Sequence, residues 1–267
     1  LIVYETLGDA RATSAAYFAA GVVALIWGLM VPGLTRHLPR RWTYTLGGGL
    51  YLTAMALAAT GDPRLTVLAV IANAMATATT FVCFNAYVLD YVAREDLGRT
   101  QSLQMFVAAT PWAVGPMLGV WLHHLWAPAP FVTAGAFTLI LLATFWWLRL
   151  GNGRQITRAR GPAPNPVAYL GRFLRQPRLL AGWSFAVIRS CGWWVYIVYL
   201  PIFCVQAGLG DKVGGTALSL SNAMLYASPL MLRLSRRLSV RVSVRGAFGL
   251  GGLAFVAAAL ASPLPWA

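Results

Sequence analysis

Leu34-Thr35-Arg36-His37-Leu38-Pro39-Arg40-Arg41 and, two hundred positions on, Leu234-Ser235-Arg236-Arg237-Leu238-Ser239-Val240-Arg241 are two versions of one short basic loop. Leu, Arg, Leu and Arg recur at a single offset. Gly8 and Gly208 repeat it in the loops one helix earlier, each after an aromatic-containing apolar run. Short basic loops can resemble one another by chance, but two collinear matches at one offset favour an internally doubled architecture.

Outward from these loops the chain is almost wholly apolar. A helix needs about 20 mostly apolar residues to cross a bilayer. Eight such segments are expected, near 17–34, 42–60, 64–89, 103–125, 128–149, 180–206, 213–234 and 242–262. They are continuous and rich in Ala, Leu and Gly, without the period-two alternation of a membrane barrel. In the 267 residues, hydrophobic side chains make up 58% and charged ones 10%. A soluble domain carries roughly 25% charged residues, so a soluble enzyme, a disordered tail and a fibrous protein are disfavoured. Cys83, Cys191 and Cys204 lie inside apolar runs with no disulfide or metal spacing, and read as small packing residues.

The net charge of +14 suggests nucleic acid or an anionic membrane surface until the arginines are placed. Alternate loops face alternate sides. The loops Thr35–Arg41, Asp90–Ser102, Arg149–Arg178 and Arg233–Arg241, the last taken with Arg245, hold seventeen of the 21 basic residues. The opposite loops hold Arg11, Arg64 and Lys212, and Arg189 stands alone inside a segment. Cytoplasmic loops carry the Lys/Arg excess, so the basic residues mark the cytoplasmic side and argue against nucleic-acid binding. Within the longest loop, Gly151 to Pro166 reads as a flexible linker. Val167 to Arg175 alternates apolar and basic residues at helical spacing, as a helix lying on the cytoplasmic leaflet would, although a plain positive-inside loop reads the same way.

Six segments separate the two basic loops. A six-helix unit used twice makes twelve helices, and the chain then reads as a fragment holding helices two to nine. Leu1 to Tyr4 would be the tail of helix one. The expected organisation is an N-terminal half over 1–149, a cytoplasmic linker over 150–178, and part of a C-terminal half over 179–267.

In this plan the sequence resembles the major facilitator superfamily of secondary transporters, and three local motifs add to the resemblance. Pro32-Gly33-Leu34-Thr35-Arg36-His37-Leu38-Pro39-Arg40-Arg41 is similar to the family loop G-x-L-a-D-R-x-G-R-R, keeping its length, its Leu and its terminal Arg pair. It departs where the acid belongs, with Arg36 there and Arg236 in the second copy. Asp90-Tyr91-Val92-Ala93-Arg94-Glu95-Asp96-Leu97-Gly98-Arg99 resembles the loop after the family's fourth helix. Gly115-Pro116-Met117-Leu118-Gly119 is similar to the G-P-x-x-G stretch common in exporters, where Gly at i and i+4 lets helices approach and Pro bends the helix. The intramembrane Arg of proton antiporters is missing from Val70 to Val88. The resemblance implies an all-α polytopic membrane protein, an incomplete six-plus-six bundle.

Several residues are candidates for function. Arg189 lies about nine residues inside its segment, where a charge is costly and faces a cavity or a partner. Trp193 (i+4) and Tyr196 (i+7) share its face, a set suited to an anionic or polar aromatic solute; a structural Arg reaching the headgroups is the alternative. Asn73, Thr77 and Thr80 form a polar stripe that suits either a solute path or interhelical hydrogen bonding, and Asn222 is a weaker candidate. Arg36, Arg40, Arg41, Asp90, Arg94, Arg99, Arg236 and Arg237 gather at the cytoplasmic mouth as a possible gate, with Asp90 and Arg94 at pairing distance if helical. Gly115, Pro116 and Gly119 are expected to pack helices. His123 and His124 end a segment on the outer side, with no ligand set for a metal.

The expected function is secondary transport of a small solute by alternating access, in the direction of export, in a bacterial-type inner membrane and as a monomer. No cofactor is expected, and a proton gradient is a candidate driving force. No G-x-x-x-x-G-K-[ST] loop for ATP is present. A transport-inactive receptor or scaffold of the same fold stays open. A membrane-embedded enzyme is disfavoured, because the helices hold no acid, His or Cys cluster.

Overall fold

The computed structural model describes residues 2–150 and 166–261. Among them the chain is helical throughout, with no strand. The helices are α1 (Ile2–Leu7), α2 (Ala10–His37), α3 (Arg40–Ala59), α4 (Pro63–Tyr91), α5 (Leu97–Leu125), α6 (Ala129–Leu150), α7 (Pro166–Leu174), α8 (Pro177–Gln206), α9 (Asp211–Ala223), α10 (Ser228–Arg237) and α11 (Val240–Ala261), with 3₁₀ turns at Arg94–Asp96 and Met224–Ala227. All eight apolar segments are helical, and the amphipathic stretch after the linker forms α7. The linker reading for Gly151 to Arg160 and on to Asn165 lies outside the described residues.

Among the described residues six helices are long and apolar enough, by length and composition, to cross a membrane: α2, α4, α5, α6, α8 and α11. Two of the eight expected segments fall short of that measure. α3 has the length but begins Arg40-Arg41 and carries Gly47-Gly48-Gly49 with several Thr and Tyr, which lowers its hydropathy. The segment near 213–234 is not one α-helix. Pro229 has no N–H, and its ring clashes with the carbonyl four residues back. The chain tightens into the Met224–Ala227 turn there, where the Ser228 N–H donates to the Leu225 carbonyl.

Helix ends are set by caps, and they run past the apolar segments. α2 starts at Ala10 because the Asp9 carboxylate accepts from the Ala12 N–H at 3.0 Å. α1 stops at Gly8, whose φ of +69° suits a residue without a Cβ, and Gly208 has φ +74° at the matching position after α8. The two basic loops also share their geometry. Leu38 ends α2 with φ −109° and ψ 133°, and its N–H bonds the Leu34 carbonyl at 2.9 Å. Leu238 ends α10 with φ −102° and ψ 148°, and its N–H bonds the Leu234 carbonyl at 2.9 Å.

The chain divides into two compact units, Leu1–Tyr91 with Ala113–Ser221, and Val92–Trp112 with Asn222–Ala267. In the first, α3 packs along α4, α2 on α4, and α6 on α3. The seams are built from small residues: Thr43, Gly47, Gly48, Ala54, Ala69, Ala76, Thr79 and Cys83 are buried. Lipid is as apolar as the core, so close backbone packing rather than burial of large side chains holds such helices together. Trp27 Nε1–H donates to Thr79 Oγ1 at 2.8 Å across the α2–α4 seam, a bond of about 1 kcal/mol. Large side chains such as Phe18, Leu25 and Phe137 point outward. No more than 22% of any spanning window is buried, the arrangement of a protein with an apolar exterior. In the second unit, Tyr226 hydrogen-bonds Thr110 at 2.8 Å and meets Phe106 edge-on, and Ser228 Oγ donates to the Ser102 carbonyl at 3.3 Å. Cys83 and Cys204 are buried, as packing residues should be, whereas Cys191 is exposed.

Candidate functional site

Inside the first unit a cavity of about 420 Å³ opens where α1, α2, α3, α4, α5, α6, α8 and α9 converge. Its walls are apolar and aromatic, with Tyr4, Tyr17, Phe131 and Trp194 around it and Ile197, Val198 and Ile202 along α8. Polar groups are few: Thr13, Thr66 and Asn73 in the wall, and His123 and Asp211 toward one end. Among the described lining residues there is no lysine or arginine. A site of this size and character takes a small, largely apolar molecule, oriented by a few polar contacts.

Of the candidates for solute contact, Asn73 lines the cavity. Thr77, one turn on, shares a 2.9 Å hydrogen bond with the Tyr51 hydroxyl and bonds back to the Asn73 carbonyl. Thr80 bonds back to the Ala76 carbonyl, and its methyl faces Gly47. The stripe thus divides into one cavity residue and two that stay with their own helix and α3. Arg189, Trp193 and Tyr196 do share a face of α8, but the cavity is lined by Trp194, Ile197, Val198 and Pro201 from the face opposite. Arg189 is exposed and has no ion-pair partner among the described residues. The Tyr196 hydroxyl donates to Ser221 Oγ at 3.0 Å. Asn222 is buried, and its Oδ1 has no partner among the described residues.

Gly115, Pro116 and Gly119 all line the cavity, and a Cβ on either glycine would meet nothing within 4 Å. The close approach of α9 to α5 comes at Gly215, where a Cβ would stand 3.1 Å from Val120 Cγ2 and 3.4 Å from the Pro116 carbonyl.

At the basic end of the first unit Arg40 Nη1 pairs with Asp90 Oδ2, joining the start of α3 to the end of α4. α4 ends at Tyr91 and Arg94 opens a 3₁₀ turn, so Asp90 and Arg94 do not share one helix. Arg41 places its guanidinium carbon 6.0 Å from the Trp146 ring centroid, within cation–π range. In the second unit Arg99 shares a cleft with Glu95, Asp96 and Arg233, and Arg237 is exposed. The side chains of Arg36, Arg94 and Arg236 lie outside the described residues.

The cavity residues that sequence reasoning missed are Tyr17, Phe131, Trp194, His123 and Asp211. Spacing at i, i+3, i+4 and i+7 along 194–201 is the one signal that could have found the α8 face. In an all-apolar helix every face shows that spacing.

Compared with known families, residues 4–267 match the family model described as Major Facilitator Superfamily. No curated protein and no solved structure gives a significant match.

Proposed function

The chain belongs to the Major Facilitator Superfamily, so it is a multi-pass membrane transporter, and from that premise we propose that it moves a small solute by alternating access, in the direction of export. The cavity carries this reading. Eight helices converge on it, its aromatic walls suit a ring-bearing apolar molecule, and the described lining holds a carboxylate, Asp211, and a histidine, His123, with no lysine or arginine. The solute class that fits is apolar and uncharged or cationic. Arg189, on the other face of α8, stays outside this binding site.

The division into halves at 1–149 and 179–267, with 150–178 between them, belongs to the same proposal. The recurring geometry at Gly8 and Gly208 and at Leu38 and Leu238 supports it. A cytoplasmic sidedness for the loops rich in arginine, an inner-membrane location and a monomeric state are further parts of the proposal. The Arg40–Asp90 pair is the cytoplasmic gate in this scheme, and a proton gradient is the proposed driving force.

Flux of a lipophilic aromatic cation in proteoliposomes holding the full chain tests the reading. Trp194→Ala and Asn73→Ala should each lower flux several-fold, and Arg189→Ala should leave it within about two-fold. Loss of flux in Arg189→Ala with full activity in Trp194→Ala would reverse the assignment of faces.

A further inference from the structure

From Leu97 to Gly210 the chain has no aspartate or glutamate. Within that stretch α7 and the start of α8 bring three arginines together along the chain, Arg172, Arg175 and Arg178, all of them exposed. Arg175 and Arg178 have no ion-pair partner among the described residues. The Arg175 N–H bonds the Gly171 carbonyl at 3.3 Å, so the helical turn of α7 carries on to Arg175. At 3.6 residues per turn Arg172 and Arg175 share one face, and Leu170, Phe173 and Leu174 lie on the opposite one.

The neighbouring helix fixes where α7 sits. α8 is long and apolar enough to cross a membrane from Pro177 onward, and only Arg175 and Gln176 separate it from α7. α7 therefore stands at the depth where α8 leaves the bilayer. Its apolar face is only partly covered by protein. Phe173 meets Trp183 of α8 edge-on, with ring centroids 6.4 Å apart, but Leu170 is 52% exposed and Leu174 55%. Water on all sides would leave the two leucines wet, and hydrocarbon on all sides would strand the arginines. The boundary between acyl chains and headgroups satisfies both. Arg178 adds the sign of the partner. It stands in the first turn of α8, where the helix dipole opposes a cation, and that turn holds no acid to offset it.

We propose that α7 and the first turn of α8 form a binding surface for anionic phospholipid. Arg172, Arg175 and Arg178 engage the lipid phosphates, and Leu170 and Leu174 enter the acyl boundary. A zwitterionic headgroup carries a phosphate too, but its own cation cancels the charge, so the surface prefers a headgroup of net negative charge. The proposal needs α8 to span a membrane and needs nothing of the solute, the direction or the driving force.

The test is amide exchange of residues 166–176 in the full chain, held in nanodiscs of phosphatidylcholine alone or mixed with phosphatidylglycerol. The mixed discs should slow exchange there several-fold, and the gain should shrink at high salt, which screens charges at the surface. Arg172→Gln, Arg175→Gln and Arg178→Gln combined in one chain should abolish the gain. Arg237→Gln, Arg241→Gln and Arg245→Gln combined remove as much charge from another basic stretch and should keep it. Exchange in α4 reports whether each variant has folded. Equal exchange in the two lipids overturns the proposal, and so does a gain that survives loss of the first three arginines or disappears with the second three. Inorganic phosphate added to the phosphatidylcholine discs should give no protection; protection there would mark a site for a free anion and overturn the lipid surface. No flux enters the measurement, so the transport reading stands or falls separately.

Discussion

Gly48 of α3 and Leu142 of α6 meet so closely that a Cβ on Gly48 would stand 2.6 Å from Leu142 Cδ2. No real Cβ contact is that short, so the α3–α6 seam depends on the bare backbone here. Gly48→Ala should destabilise the folded chain by about 1–3 kcal/mol, the usual cost of overpacking. Gly49→Ala, with nothing within 4 Å of its Cβ, should be neutral or slightly stabilising. Leu142→Ala should recover part of the loss in the Gly48→Ala background. Thermal unfolding in one detergent, with the four chains side by side, checks the series.

Gly8 and Gly208 end their helices in the left-handed region, at φ +69° and +74°. Each should lose about 1 kcal/mol on substitution by alanine, since an L side chain is strained there. Gly33→Ala is the control, because its backbone is not left-handed and its Cβ would meet open space. Equal losses at the two sites and none at the control would match the repeated geometry; a loss at one alone would break it.

The Arg40–Asp90 pair is half exposed on its acidic side, with Asp90 at 52%. Such a pair adds only about 0–1 kcal/mol to stability, so Asp90→Asn should barely move the unfolding midpoint. As a gate it should matter more to transport. Flux should fall several-fold in Asp90→Asn and in Arg40→Gln, and partly return in the charge-swapped Arg40→Asp, Asp90→Arg chain. A drop in stability as large as the drop in flux would mark the pair as structural instead.

Asp9 caps α2 from the loop outside the spanning segment. Hydrogen bonds from the Arg11 and then the Ala12 backbone N–H hold its carboxyl below the usual aspartate range. The depressed value sets the sign. The cap's stabilisation is fully present above the ordinary aspartate pKa and is lost as pH falls through the lower folded value. Amide exchange over the first turn of α2 should therefore rise only in acid, below about pH 4. Asp9→Asn, which keeps an accepting oxygen, should remove that acid dependence and retain most of the protection at neutral pH.

Much of the fold was legible in the residues. Long runs of Ala, Leu and Gly required helices, since every backbone group in lipid must be bonded within its own segment. The Leu38 and Leu238 loops share a residue pattern, and they share a backbone geometry as well. Ends were less legible. The start of α2 at Ala10 follows from one carboxylate–amide bond at Asp9, and the polar first turn through Ser14 hid it from a reading by hydropathy. Pro229 stands within the apolar segment near 213–234, and the chain breaks there into α9, the Met224–Ala227 turn and α10.

The site was harder to see. Asp90 meets a partner fifty residues back, at Arg40, across two helices that no local spacing brings together. His123 lies between the Ala127 carbonyl and the Glu5 carboxylate, a placement that its position at the end of α5 does not show.

By itself the sequence determined the class of the protein: all-helical and polytopic. Length, apolarity and backbone hydrogen bonding are local demands of a bilayer, and each is met within one segment. Which side of each helix lines the cavity was decided by tertiary structure alone. Outside such a helix is lipid and inside is an apolar seam, so both faces carry the same residue types and the pattern holds no direction. Contacts between distant small residues, Gly47 with Thr80 and Gly215 with Val120 among them, turn the helices. They leave Asn73 and Trp194 facing the cavity and Arg189 facing away from it.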